Sequence, residues 1–251
     1  MLELRNIGLT MKDANDQPKE ILKNINLKLE PGKLYGVTGP NGGGKTSLSK
    51  VIMGIYHQTT GEIFFDGQNI SDLAVDERAR LGISYAFQQP PRFKGLTVED
   101  ILNIAAGKPD SREIRTKLRE VGLCPEDYLE RNLGAELSGG EIKRIEMAQI
   151  LLRNSRVNIF DEPESGVDLW TVQRLANLLM RGYRNHPNKI TLLISHNEKM
   201  LPICDEIIVI NQGTIEKQGT AQEIWHGMRE DLLCRNREQC QGEMIHEFNQ
   251  N

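Results

Sequence analysis

Gly39-Pro40-Asn41-Gly42-Gly43-Gly44-Lys45-Thr46 decides the reading of this chain. It fits the pattern G-x-x-x-x-G-K-[ST], between a short apolar run at 34–38 and a helical pattern at 46–53. Strand, glycine-rich turn and helix in that order build a cradle for phosphate. The glycines let the backbone curl until successive N–H groups point inward, and the helix adds the positive end of its dipole. Lys45 brings a point charge for the β- and γ-phosphates, and the Thr46 hydroxyl is a ligand for Mg²⁺. With Ser47, which follows in the same helical turn, Gly39 to Thr46 form the candidate nucleotide-binding loop.

Outward from the loop, strand and helix patterns alternate, which marks an α/β protein. Residues 2–9 and 21–29 alternate apolar and polar positions, as half-buried strands do, so antiparallel β structure is expected near the N-terminus. The polar run 12–20 reads as a loop between them. From about 97 to 153 the pattern turns helical, with Ile114, Leu118 and Val121 on one face and Ile142, Ile145 and Ile150 recurring at similar intervals. This block reads as a helical subdomain set into the core. Strand patterns return at 157–160, 190–195 and 206–210, with a hairpin partner at 214–218. An amphipathic helix is expected at 222–233. The expected organisation is one domain over 1–233 and a polar tail over 234–251.

Composition narrows the function classes. The chain has 251 residues, 38% hydrophobic and 26% charged, enough for one large domain with a full core. Its 31 Lys and Arg against 35 Asp and Glu give a net charge of -4, which argues against a broad nucleic-acid-binding face. No stretch approaches the roughly 20 apolar residues of a membrane span. The opening Met-Leu-Glu-Leu-Arg-Asn has neither a basic nor an apolar leader region, so a cytoplasmic location without membrane insertion is expected. Cys124, Cys204, Cys234 and Cys240 match neither a disulfide framework nor a structural zinc pattern, and read as reduced thiols.

A second motif, Val157-Asn158-Ile159-Phe160-Asp161-Glu162, is a strand ending in two carboxylates. It would set Asp161 beside the phosphate loop to hold Mg²⁺, with Glu162 placed to polarise an attacking water. Phosphoryl transfer asks mainly for positioning and charge neutralisation, so one base and one metal-binding acid suffice. Asn158 interrupts the apolar run.

Leu137-Ser138-Gly139-Gly140-Glu141 then resembles the signature motif of ATP-binding cassette (ABC) ATPases. Other elements of that family follow in order. Gln88, after Ala86-Phe87, is similar to the Q-loop glutamine that joins the metal and water shell, and Ser165-Gly166-Val167-Asp168 to the D-loop. His196 is similar to the switch histidine that contacts the γ-phosphate. The resemblance covers residues 1–219. It implies a P-loop core with an antiparallel β subdomain and an inserted helical subdomain. It also implies Mg²⁺-dependent ATP hydrolysis and an ATP-dependent homodimer, in which each phosphate loop faces the other copy's Ser138, Gly139 and Gly140. One family element is missing: where an aromatic residue usually stacks on adenine, this chain reads Leu9-Thr10-Met11-Lys12.

Within the family, the run Tyr85-Ala86-Phe87-Gln88-Gln89-Pro90-Pro91-Arg92-Phe93-Lys94-Gly95 resembles that of the SufC ATPases of iron–sulfur cluster assembly. Glu141-Ile142-Lys143-Arg144 and Gly166 also depart from the usual transporter pattern. Pro163 points the other way, since it follows the Asp-Glu pair as in transporters. The SufC resemblance implies a SufB-like scaffold partner, with or without a SufD-like one. The alternative is the ATP-binding subunit of a membrane ABC transporter.

Overall fold

The computed structural model describes residues 1–107, 110–134, 136–184 and 186–224. In chain order the elements are β1 (Leu2–Lys12), β2 (Pro18–Leu29), β3 (Lys33–Thr38), α1 (Lys45–Met53), β4 (Thr60–Phe65), β5 (Gln68–Asn69), α2 (Val75–Arg80) and β6 (Ile83–Ala86). They continue with α3 (Val98–Ala106), α4 (Ser111–Glu120), α5 (Pro125–Tyr128), α6 (Gly139–Arg153), β7 (Val157–Asp161), α7 (Leu169–Arg184), β8 (Ile190–Ile194), β9 (Glu206–Asn211) and β10 (Thr214–Thr220).

Two sheets organise the chain. One is antiparallel, in the order β2-β1-β4-β5; the other runs β10-β9-β3-β8-β7-β6, parallel except for the antiparallel β10. Every residue of β6, β7 and β8 is buried, as expected for parallel strands covered on both faces. The two faces feed two cores. Val157 and Ile159 pack with Leu4, Ile25, Leu48 and Ile63 between the sheets and α1, whereas Phe160 packs with Ile145, Leu175 and Leu179 under the helices. Because β6, β7, β8 and β3 are parallel, their C-terminal ends emerge on one edge, where open α/β sheets bind ligands.

The structure revises several expectations. The polar run 12–20 is a turn over 13–17, as expected, while its ends extend the strands, with Thr10 opposite Glu20, Met11 opposite Lys19 and Lys12 opposite Pro18. Both faces of this hairpin end are exposed, so the polarity of its strand ends reflects solvent. Four elements between 54 and 96 (β4, β5, α2 and β6) carry too little regular periodicity to have been anticipated. Helix α7 was also not anticipated, although Val172, Leu175, Ala176, Leu179 and Tyr183 recur at helical spacing and are buried. Helices α3 to α6 fill the block 97–153. Of the expected helix at 222–233 only 222–224 lies within the described residues, and the tail with Cys234 and Cys240 lies outside them. Cys124 is exposed and Cys204 buried, both as free thiols.

Candidate active site

The loop from β3 into α1 is fixed by its contacts. Gly39 has φ 135°, and a Cβ there would lie 2.0 Å from the carbonyl oxygen of Ile210 in β9. Pro40, Asn41 and Gly42 form an exposed lip, while Gly43 accepts from the Gly213 N–H at 2.9 Å, which ties the loop to the β9–β10 hairpin. Gly44, at φ 110°, is the N-cap of α1, and no side chain caps this end. The N–H groups of Lys45, Thr46 and Ser47 therefore lack intrahelical acceptors and sit at the positive end of the helix. Lys45 is 6% exposed; its Nζ donates to the carbonyls of Gly39 (2.9 Å) and Pro40 (2.8 Å). Burial depresses its pKa, against the pull of Glu162 and Asp161.

Strand β7 delivers Asp161 to the same place. Its Oδ1 accepts from Thr46 Oγ1 at 3.1 Å and its Oδ2 from Tyr85 Oη at 2.6 Å. Burial raises its pKa, while those two hydrogen bonds oppose the shift. A buried carboxylate beside a threonine hydroxyl is a pair of hard oxygen donors, and a divalent cation would offset the burial that raises the carboxyl pKa. These residues fit Mg²⁺.

Glu162 follows with φ 48°, a left-handed conformation that costs a non-glycine residue about 1 kcal/mol and is held by its N–H donating to Ile194 O at 3.0 Å. Its Oε2 accepts from Gln88 Nε2 at 2.7 Å, and its Oε1 lies 3.7 Å from His196 Nε2. Burial, with the nearby Lys45 charge, lowers the His196 pKa and favours the neutral ring. Three chain segments thus converge on one carboxylate.

Lys45, Thr46, Asp161, Glu162, Gln88 and His196 are gathered in one cluster; Ser138, Gly139 and Gly140 are not part of it. No hydrogen bond joins those three to residues 39–47 among the described residues. Ser138 is the N-cap of α6, where Ser138 and Glu141 close a capping box. Hydrogen bonds from Tyr128 and Ser138 hold the Glu141 carboxyl at about 2. The start of α6 shares a cavity with Gln88, Lys143 and Gly166.

Sequence reasoning missed three contributors. Tyr85 positions Asp161 across 76 positions of chain, and Lys143 donates to the carbonyls of Glu162 (3.1 Å) and Ser165. Glu164 accepts from Ser195 Oγ, and burial raises its pKa. Tyr85 and Lys143 stood inside motifs already quoted, but nothing in one sequence reveals which distant atom a side chain meets. The missing adenine stacker stays missing: Met11 is exposed on β1, and Tyr35 is buried with its hydroxyl accepting from Glu30 N–H at 2.8 Å.

Beside Gln88 lies an apolar groove of about 370 Å³ between α2, β6, α3 and α6. Phe87, Phe93, Ile104 and Val75 are exposed along it, and Glu146 is its carboxylate. Glu146 Oε1 accepts from the Phe87 N–H at 2.8 Å, and burial pushes its pKa up to about 7.

Comparison with known proteins identifies the family. A family model described as "ABC transporter" matches residues 22–165. An uncharacterized ABC transporter ATP-binding protein of Methanocaldococcus jannaschii is 37% identical, over 82% of this chain and 85% of its own length. A "Probable ABC transporter ATP-binding protein" of Streptococcus pyogenes serotype M3 is 35% identical over 92% and 96%. Among solved structures, a dimeric bacterial ABC transporter cassette superposes with a TM-score of 0.80 at 24% identity, covering 88% of this chain and 99% of that one.

Proposed function

The chain belongs to the ABC transporter family as an ATPase of the ATP-binding cassette type, and on that premise we propose that it is the ATP-hydrolysing subunit of a membrane transporter. The observation that carries the catalytic part is the convergence of Gln88 and His196 on Glu162, beside the Thr46–Asp161 pair.

The residues divide the work as follows. The N–H groups from Gly42 to Ser47 bind the phosphates, and Lys45 leaves the Gly39 and Pro40 carbonyls to meet the β- and γ-oxygens. Thr46 and Asp161, with Gln88, would hold Mg²⁺, which when bound neutralises charge on the β- and γ-phosphates. Glu162 orients a water whose oxygen bonds to the γ-phosphorus as the bond to the β–γ bridging oxygen breaks. The water's proton passes to Glu162, and ADP and inorganic phosphate leave. His196, neutral near pH 7, donates a hydrogen bond to the γ-phosphate. The site is completed in trans: the first turn of a second copy's α6, with Ser138, Gly139 and Gly140, offers its positive end to the γ-phosphate. Affinity for nucleotide then rests largely on the phosphates, since Met11 stands where an aromatic residue usually stacks on the base.

The printed names of the relatives favour the transporter over the iron–sulfur scaffold that the Q-loop run suggested. That scaffold reading, with a SufB-like partner, keeps one observation in its favour: the run 85–95 that resembles SufC supplies Phe87 and Phe93 to the groove wall. The distinguishing experiment is affinity purification of the native complex from separated soluble and membrane fractions. A transporter subunit comes down with an integral membrane protein, and the complex is lost without detergent. Recovery with a soluble scaffold instead would overturn the transporter reading in favour of cluster assembly.

A further inference from the structure

One contact at the phosphate site is explained neither by phosphate binding nor by water activation: the Tyr85 hydroxyl on the metal-binding acid. Tyr85 stands on β6 opposite Ile159 of the parallel strand β7, which lies two positions before Asp161 and on the same face. A long side chain leaning along its strand covers those two positions, roughly 6.6 Å. Its Oη therefore ends beside the carboxylate and donates to Asp161 Oδ2 at 2.6 Å. Among the described residues the two carboxylate oxygens are divided between two donors, Thr46 Oγ1 on Oδ1 at 3.1 Å and Tyr85 on Oδ2.

The phenol is itself held. Ser49 is fully buried on α1, three positions after Thr46 and so on the same helix face. Its Oγ donates to the Thr46 carbonyl at 2.9 Å and lies 3.2 Å from Tyr85 Oη. Phe87 packs against the Tyr85 ring edge-on, with centroids 4.8 Å apart. Thr46, Ser49, Tyr85 and Asp161 thus close a ring of contacts through α1, β6 and β7. Rotation of a carboxylate about its last bond is otherwise soft, and here both oxygens are pinned.

We propose that Tyr85 is a positioning residue that sets cation specificity: by occupying Oδ2 it leaves Asp161 a single oxygen, Oδ1, turned to Thr46, and so tunes the site to Mg²⁺ against the larger Ca²⁺. This deepens the proposed function and rests on its assignment of Thr46 and Asp161 to the cation. The reason is ligand geometry. Mg²⁺ takes about six oxygens at about 2.1 Å in a strict octahedron, which suits one oxygen per carboxylate. Ca²⁺ takes about seven at about 2.4 Å and readily grips both oxygens of one carboxylate. That second oxygen is denied to it while the phenol holds Oδ2. Tyr85→Phe keeps the ring and its packing but frees Oδ2, a buried acceptor that the larger cation can then satisfy.

The test measures ADP affinity of the full chain by calorimetry in excess Mg²⁺, in excess Ca²⁺ and in EDTA. By linkage, the affinity in each metal relative to that in EDTA reports what the cation contributes. Binding of either cation to free ADP is common to all variants and cancels when proteins are compared. The wild-type chain is expected to gain more from Mg²⁺ than from Ca²⁺. In Tyr85→Phe that preference should fall about tenfold, while affinity in EDTA stays within about twofold. Ser49→Ala removes a hydroxyl from the same ring without freeing Oδ2, and should keep the preference within about twofold. An unchanged preference in Tyr85→Phe would overturn the proposal. So would an equal loss in both variants, since Tyr85 would then act only as packing. Equal gains from the two cations in the wild-type chain would overturn it with no variant needed. No gain from either cation would reject the assignment of Thr46 and Asp161 itself, and this inference with it.

Discussion

Glu162, the proposed base, is restrained by the protein's own contacts. Its backbone sits at φ 48°, its N–H is fixed to Ile194, and Gln88 Nε2 restrains one carboxylate oxygen at 2.7 Å. Restraint of this kind favours catalysis, since a base must be aligned with a water rather than merely near it. Glu162→Gln keeps the shape and the hydrogen-bonding capacity but removes the base. It is expected to retain ATP binding while turnover falls at least about 100-fold, measured by phosphate release and equilibrium nucleotide binding. Lys45→Ala acts on a different term: a cation that only carbonyls now hold is lost, and nucleotide binding itself should fail. Wild-type turnover in Glu162→Gln would reject the assigned base. At this scale the sequence was informative wherever a residue belongs to a local pattern, as Lys45, Thr46, Asp161 and Glu162 do. It was silent on Tyr85 and Lys143, whose roles exist only through atoms distant in the chain.

Helix α1 shows how an element is tuned at both ends. Its N-terminus is left uncapped, and its C-terminus is plugged by a fully buried cation. Arg78 NH1 donates to the carbonyls of Val51 (2.7 Å) and Ile52 (2.9 Å), while its NH2 and Nε reach Ser71 (2.7 Å) and Leu73 (3.0 Å). The charge complements the negative end of the dipole and satisfies carbonyls that the helix cannot. Arg78→Met fills the volume but strands those acceptors, and should cost about 3–5 kcal/mol in denaturant melts. Helix α6 carries the matching liability in Glu146. Its folded pKa of about 7 stands above the unfolded 4.5, so the folded chain binds more protons than the unfolded one between those values. Its contribution to stability therefore falls as pH rises from 4.5 to 7 and is fully unfavourable above that. Glu146→Gln keeps an acceptor for Phe87 N–H and should flatten this slope, leaving the variant more stable by about 1–2 kcal/mol at pH 8. Equal pH slopes in the two proteins would reject the assignment. The elements legible beforehand were those with clear periodicity or a motif: β1, β2, β3, α1, α4, α6, β7, β8 and the β9–β10 hairpin. Strands β4 and β6 were not, because one is half-exposed and the other only four residues long. Helix α7 had a readable stripe that the stronger strand signals on either side overshadowed.

For the whole molecule, the separation of the signature turn from the phosphate loop within one chain is the starting point. On the proposed mechanism, a site with its phosphate cradle in one place and its signature helix end in another would be completed by a second copy, and only once a γ-phosphate offers charge to both. Glu162→Gln with ATP should therefore run as a dimer in size-exclusion chromatography with light scattering, and as a monomer without nucleotide. A stable dimer in the absence of ATP would contradict this. The work of closure must then reach a partner, and the groove beside Gln88 is the surface suited to receive it. Phe93 is 40% exposed there, and Phe87 shares the wall while its N–H holds Glu146 on the signature helix. A segment seated in the groove would thus touch both the Gln88 loop and α6. A helix with apolar residues at i, i+3 and i+4 fits such a groove. Phe93→Asp puts a charge on the apolar wall, at a residue with no assigned part in the chemistry. Partner binding should weaken at least about tenfold, whereas the basal ATPase of the isolated chain should stay within about twofold. Loss of ATPase in parallel with binding would mean that Phe93 supports the catalytic cluster itself, and unchanged binding would move the docking surface elsewhere on the chain.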